Sequence, residues 1–283
     1  MYSEGVDTMI ELPEALVLAR QLNQAVCGKT VAAAAVNQSP HQFAFYHGDP
    51  AVYPDRLCGC TLHDASAYGG MVEMDFGRCR LVISDGVNLR FHEMPATRPK
   101  KHQLLLEFRD GTALSASVQM YGMLWCFEPG TFDNEYRAAA RTKPSPLTPE
   151  FNRAWFQSLL NAEAVQKLSL KAFLATEQRI PGLGNGVLQD LLWSCGLHPR
   201  QKVSSLDDEA AGKLFLSIKT TLAAMADAGG RDTEKDLFGQ SGGYRASLSS
   251  LHQKEGCPRC GGEIRKESYL GGSIYTCPRC QPI

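Results

Sequence analysis

The stretch from Cys257 to Cys280, CPRCGGEIRKESYLGGSIYTCPRC, carries a C-x2-C-x16-C-x2-C pattern. Two residues between paired cysteines let both thiolates of a knuckle reach one tetrahedral ion, and two knuckles complete four ligands. Proline follows the first cysteine of each pair and glycine follows the first pair, which suits a tight knuckle turn. Four unrelated thiols is the blander reading, and the duplicated spacing argues against it. A redox pair would need a thioredoxin-like βαβ unit, which the surrounding pattern lacks. With cysteine at Cys257, Cys260, Cys277 and Cys280, the spacing predicts one closed, structural Zn2+ site rather than a catalytic one. Residues 241–283 also hold six Lys/Arg against three Glu, a weak sign of phosphate contact.

The other six cysteines, Cys27, Cys58, Cys60, Cys79, Cys126 and Cys195, have no pattern. The N-terminus lacks an export signal, so they read as reduced thiols and the protein as cytoplasmic. Net charge is −1. That neither announces nor excludes a nucleic-acid binder, because a local patch is what acts electrostatically. No apolar run reaches the length of a membrane span, so no membrane partner is expected.

Hydrophobic periodicity divides the 283 residues. MIELPEALVLARQL, Met9 to Leu22, reads as a chain start placed behind an extension of residues 1–8. Leu12, Ala15, Ala19, Leu22 and Val26 form a helical stripe, with Pro13 and Glu14 suited to a first turn. Residues 29–127 then read as short strands separated by turn signals, of which DFG, SDG and RDG are the clearest. Pro- and polar-rich RTKPSPLTPEF marks a linker, and helical segments follow. The fold class is α+β with several domains. A β-sandwich or barrel with a leading helix is expected over 9–135, a linker over 136–150, a helical domain over 151–250 and a β-hairpin finger over 251–283.

RIPGLGNGVLQDLLWSCGLHP places Gly182, Gly184 and Gly186 around Asn185, just before a helix. Glycines let the backbone turn sharply, and the free N–H groups of a helix start suit phosphate. GLGNG is not a dinucleotide loop, since it follows a helical segment and not a strand. A plain helix–turn–helix hairpin fits the local pattern equally well.

In order, IELPE, the β-rich region, the GLGNG turn with its upstream lysine, the GG…GGY loop and the four-cysteine finger resemble the formamidopyrimidine-DNA glycosylase / endonuclease VIII family of base-excision repair enzymes. The resemblance covers residues 9–283. It implies a two-lobed monomer with a β-sandwich as its N-terminal lobe, damaged double-stranded DNA in the cleft, a helix–two-turn–helix module and base flipping. It implies DNA contacts from Lys171, Gly184, Asn185 and Arg245, with the loop Gly229–Arg245 covering the flipped base. It also implies a nucleophilic proline where this chain has Ile10, beside a catalytic glutamate that matches Glu11.

The departures gather in the β region and at the finger. The nucleophile position is Ile10; the family lysine falls near Tyr68, the finger arginine near Gly272, and the arginine facing the opposite strand near Gln119 and Met120. Val87 and Asn88 fall where wedge residues enter the DNA stack. An amide nitrogen at Ile10 is no nucleophile, so the Schiff-base lyase step is not expected. Glu11 is either a general base for glycosidic hydrolysis or a first-turn residue that favours the helix dipole. Two functions follow: a glycosylase, or a non-catalytic damaged-DNA-binding protein. A zinc protein for RNA or another protein is a weaker third. His198 reads as structural, Trp125 and Trp193 as core, and Arg98, Lys100 and Lys101 as a basic loop or a solvated turn.

Overall fold

A computed structural model describes residues 9–93 and 98–283. The expected extension 1–8 lies outside the described residues. The leading helix forms as the stripe predicts: α1 (Leu12–Ala25) has proline in its first turn and buries Leu12, Ala15, Leu18, Ala19 and Leu22. The Glu14 carboxylate reaches back to accept the Glu11 N–H at 3.3 Å, closing one orphan donor of the helix start.

Strands β1 (Val31–Val36) and β2 (Ala44–Tyr46) lead through a short helix α2 (Tyr53–Leu57) to β3 (Asp64–Tyr68), β4 (Met71–Asp75), β5 (Arg80–His92), β6 (Leu104–Phe108) and β7 (Ala113–Phe127). The order is β1-β6-β7-β5-β4-β3, with β2 parallel to β7. DFG and RDG lie between strands, as read from the sequence. SDG does not. Residues 84–86 lie inside β5, which pairs with β7 on both sides of them. The register runs Asp85↔Gly122 and then Val87↔Val118, so Gln119, Met120 and Tyr121 are pushed out of the ladder and exposed. Asp85 itself has φ +58°, which absorbs the bend in mid-strand without reversing the chain. Below the bend β5 and β7 join β4, β3 and β2; above it they join β6 and β1. Both halves enclose one core, containing Val72, Leu81 and Ile83 from one side and Leu89, Leu106 and Leu114 from the other, with α1 laid against it. The expected sandwich is thus one bent sheet sharing two long strands.

The expected linker contains a helix, α3 (Glu135–Thr142), capped by Asn134. Glu73 on β4 is buried and receives Arg137 at 2.9 and 3.1 Å and Arg141 at 3.0 Å, which pins α3 to the sheet. Helices α4 (Arg153–Asn161), α5 (Leu170–Ala175), α6 (Val187–Ser194) and α7 (Asp208–Asp227) form the second domain. Its separate core holds Phe156, Phe173, Leu188, Leu191, Leu214 and Leu222. The chain ends in a hairpin, β8 (Arg265–Tyr269) and β9 (Gly272–Thr276). Among the described residues no helix is long and apolar enough to cross a membrane.

Candidate active and DNA-contact site

The four finger sulfurs lie within 4.8 Å of one another. Cys260 and Cys277 are 3.4 Å apart and Cys257 and Cys280 are 3.7 Å apart. Metal–sulfur bonds of about 2.3 Å in a tetrahedron give sulfur–sulfur edges of roughly 3.8 Å. The donor set and its spacing therefore fit one metal ion, with no position left open. The finger rests on α6. Trp193 Nε1 donates to Cys257 Sγ at 3.4 Å, so this tryptophan lies at the finger interface rather than in the core of its own domain. Trp125, in contrast, is buried in the β lobe as read from the sequence.

Helix α6 organises everything around it. Asp190, buried, accepts Ser247 N at 2.8 Å, Leu248 N at 2.9 Å and the Tyr244 hydroxyl at 3.1 Å, fixing the chain that leads into the finger. Gln189 accepts Tyr275 N at 3.0 Å and donates to the Ser273 carbonyl at 3.2 Å. Asn185 Nδ2 donates to that same carbonyl at 2.9 Å, while its Oδ1 is buried without a partner. Lys171 is buried and donates Nζ to the Tyr269 carbonyl at 2.6 Å. Burial lowers its pKa, so the ammonium is poorly solvated and suited to an anionic partner. A Cβ on Gly272 would stand 3.3 Å from Lys171 Nζ and 3.4 Å from Asn185 Cγ. Lys171, Asn185 and the hairpin turn thus converge, with glycine at the tip where the resemblance implies an arginine. Arg245 lies apart on the surface, ion-paired with Glu255.

Glu11 crosses from the β lobe to the start of α6. Its Oε1 accepts Gly186 N at 2.7 Å and its Oε2 accepts Val187 N at 2.8 Å, two of the orphan donors at that helix end. A Cβ on Gly184 would stand 2.6 Å from Glu11 Oε1, so glycine is needed there for the carboxylate to approach. Gly182, at φ +80°, packs on Gly69 so closely that a Cβ would fall 2.6 Å from the Gly69 carbonyl carbon. The glycine turn therefore serves the contact between the lobes as well as its own bend.

Behind Glu11 lies Arg231, 3% exposed. It donates to Glu14 at 2.9 Å from both Nε and Nη2, and stands 3.8 Å from Glu11 and 3.7 Å from Glu234. Burial alone would lower its pKa, but Glu14, Glu11 and Glu234 outweigh that and hold the guanidinium charged. Burial raises the pKa of Glu11 against the pull of Arg231, with Glu14 adding to the rise. Burial likewise pushes Glu234 up to about 8. Sequence reasoning did not single out Arg231, although the two basic residues of the GGRDTEK loop, Arg231 and Lys235, beside an acidic first turn were a usable signal. The loop is anchored by it, by Leu237 in the β-lobe core, and by Asp236, whose carbonyl accepts Arg90 at 3.0 Å.

Ile10 is buried in the β-lobe core, and its amide N–H donates to the Asp85 carbonyl at 2.8 Å. Its nitrogen is a spent donor and its side chain is packing. Val87 is 3% exposed and packs in the core, so it cannot serve as a wedge. The exposed side chains nearby are Met120 and Tyr121, which share a groove with His41, Phe43 and Phe45. Their exposure follows from the bend, which has no local sequence signature. His198 is buried and accepts the Arg200 N–H at 3.1 Å, a structural role. Arg98 pairs with Glu107, while Lys100 and Lys101 are exposed.

Comparison with known proteins agrees with this geometry. Residues 9–131 match the formamidopyrimidine-DNA glycosylase N-terminal domain. The chain is 28% identical to the formamidopyrimidine-DNA glycosylase of Lactobacillus gasseri, over 97% of this chain and 99% of that one. It is also 28% identical to that of Salinispora arenicola, over 97% and 96%. In fold it is similar to Lactococcus lactis Fpg in a complex with an abasic site containing DNA (TM-score 0.81, 23% identity, 96% and 100% covered). It is similar too to MutM (Fpg) of Thermus thermophilus (TM-score 0.79, 22% identity, 96% and 98% covered). The chain is thus similar to formamidopyrimidine-DNA glycosylases over nearly all of its length, and its residues 9–131 match the N-terminal domain of that family.

Proposed function

We propose that this protein binds damaged duplex DNA as a monomer in the cleft between its lobes. There it releases an altered base by hydrolysing the N-glycosidic bond, leaving an abasic site. The observation that carries this reading is the convergence of Glu11, Asn185 and Lys171 around the start of α6. A glutamate joins the sheet lobe to a helix N-terminus there, next to an amide and an ammonium able to hold a phosphate. Lys171 and Asn185 would bind the backbone at the lesion, Gly184 would let Glu11 approach, and Arg245 would lie on the approach to the duplex. The finger would hold one structural Zn2+ through Cys257, Cys260, Cys277 and Cys280. The compartment for such a protein is the cytoplasm, on the nucleoid.

Glu11 is the carboxylate nearest the helix start. Each of its oxygens already accepts one N–H and keeps a further lone pair. It can favour positive charge developing on the sugar. The Ile10 amide supports hydrolysis without a covalent intermediate. The test is a panel of duplexes carrying an oxidised purine, an oxidised pyrimidine or an abasic site. Base release without a borohydride-trapped adduct is expected; a trapped adduct overturns the hydrolytic reading. A second reading, a binding protein without chemistry, is favoured by the glycine at position 272 beside Lys171. Salt-sensitive binding with no product on any duplex would select it.

A further inference from the structure

Asp85 is a carboxylate that none of the family-matched positions includes. It lies inside β5, yet takes φ +58°, a left-handed conformation that costs energy in a non-glycine residue and persists only where the surroundings impose it. Here the ladder to β7 fixes the chain on both sides, and the Asp85 carbonyl is tied to the Ile10 N–H at 2.8 Å. The residue is therefore pinned beside the position where the family would carry its nucleophile. Its carboxylate is only partly buried, and among the described residues one side chain donates to it, Ser84 Oγ at 2.7 Å. Glu11, in contrast, has both oxygens committed to backbone N–H groups.

We propose that Asp85 is the general base that activates water for base release, a reading that rests on the glycosylase function proposed above. The water oxygen forms a bond to C1′ of the flipped nucleotide, and the C1′–N bond breaks with its electron pair leaving on the base. The water proton passes to the Asp85 carboxylate, and the departing base takes a proton from solvent. Glu11 and Asp85 together oppose the positive charge that develops on the sugar. Tyr121 on β7 and Tyr136 on α3 complete the surroundings. Both side chains are more than a third exposed, yet partial desolvation raises both phenols and the Asp85 and Glu11 charges add to that, so they remain protonated donors. Burial also raises Asp85 itself, against the Ser84 hydroxyl, toward the range a general base needs.

Single-turnover base release and affinity for an abasic-analogue duplex are measured for the full-length protein, Asp85→Asn, Asp85→Gly, Asp85→Glu and Glu11→Gln. Asn and Gly both tolerate positive φ, so each keeps the bend. Asp85→Asn and Asp85→Gly should lower base release by about 100-fold or more, with affinity within roughly 3-fold. Asp85→Glu should recover part of the rate. The titratable groups that feel the Asp85 charge are Tyr121 and Tyr136. The wild-type rate should fall toward acid pH, and that limb should persist in Glu11→Gln and vanish in Asp85→Asn. If base release in Asp85→Asn and Asp85→Gly matches wild type, or the acid limb survives in Asp85→Asn, the assignment is overturned while the glycosylase reading stands. If the wild-type protein binds damaged duplex and releases no base from any of them, both fall.

Discussion

In the proposed DNA cleft, the wall built from α5, α6 and the β8–β9 hairpin differs from the wall built around the bent strands β5 and β7. On the first, Lys171 and Asn185 stand where the family resemblance implies, and each also holds the finger through a carbonyl of the hairpin. On the second, Ile10, Tyr68, Gln119 and Met120 occupy the implied positions of a nucleophile and two basic contacts. The difference has a physical reason. Residues of the helical wall join finger to helix in addition to their proposed DNA contact, so replacing them leaves buried carbonyls and amides unpaired. On the sheet wall Ile10 is packed in the core, while Gln119 and Met120 are pushed out of a ladder that holds without them. That wall can change its chemistry while the sheet keeps its core.

Metal removal is the harshest way to break the comparison. Chelation, or Cys277→Ser, should unfold the hairpin that Lys171 and Asn185 hold, because metal binding supplies the finger's folding energy. Duplex affinity should fall by about 100-fold or more, while NMR resonances of the β lobe keep their positions. Equal losses in both lobes would mean the walls do not fold independently.

Arg231→Met tests the seam between the walls. It would leave Glu11, Glu14 and Glu234 buried without their cation. Removing one partner of a buried ion pair costs about 3–5 kcal/mol, and a thermal melt should show a Tm lower by roughly 10 °C. A change of one or two degrees would show that the carboxylates reach solvent.

The same seam has a pH signature. The folded pKa of Glu234 is raised to about 8 from an ordinary value of 4.5, so the native state holds a proton that the unfolded chain loses first. This contribution is present at low pH and is lost as pH rises from about 4.5 to about 8. Glu234→Gln should therefore melt several degrees above wild type at pH 8.5 and close to it at pH 5, by differential scanning calorimetry. The opposite ordering would mean that Arg231 holds Glu234 ionised throughout.

Asn185→Ala and Tyr121→Ala compare the walls directly. Loss of the amide should weaken duplex binding by about ten-fold, on the order of 1–2 kcal/mol, through both the backbone contact and the hairpin. Loss of the phenol should cost about 1 kcal/mol of stacking, read as a smaller affinity change by fluorescence anisotropy. If Tyr121→Ala proves the more damaging, the sheet wall carries recognition and the helical wall only scaffolding.

Much of this was legible locally. The cysteine spacing predicts a closed four-thiolate cluster, and the sulfurs gather within 4.8 Å. The apolar stripe predicts α1, and the glycine turn predicts a helix starting near Gly186, where α6 begins at Val187. The misreadings share one cause. SDG has the composition of a turn, but β7 pairs on both sides of it, so the strand continues and Asp85 takes the strain. Val87 falls near the implied wedge position, where valine is a poor wedge, and is core in the fold, while the bend pushes Met120 and Tyr121 out of the ladder. The linker hides α3 because its helix is fixed from outside, by Glu73 reaching Arg137 and Arg141.

The sequence by itself determined the elements whose cause lies within a few residues: the knuckles, the helix starts and the alternating strands. Tertiary structure alone decided where charges meet. Glu11 comes from residue 11, its backbone partners from residues 186 and 187, and Arg231 from a third segment. No local pattern encodes that meeting, since it depends on how two separate cores pack against each other. The same holds for Asp85, whose conformation and neighbours follow from the ladder that bends around it.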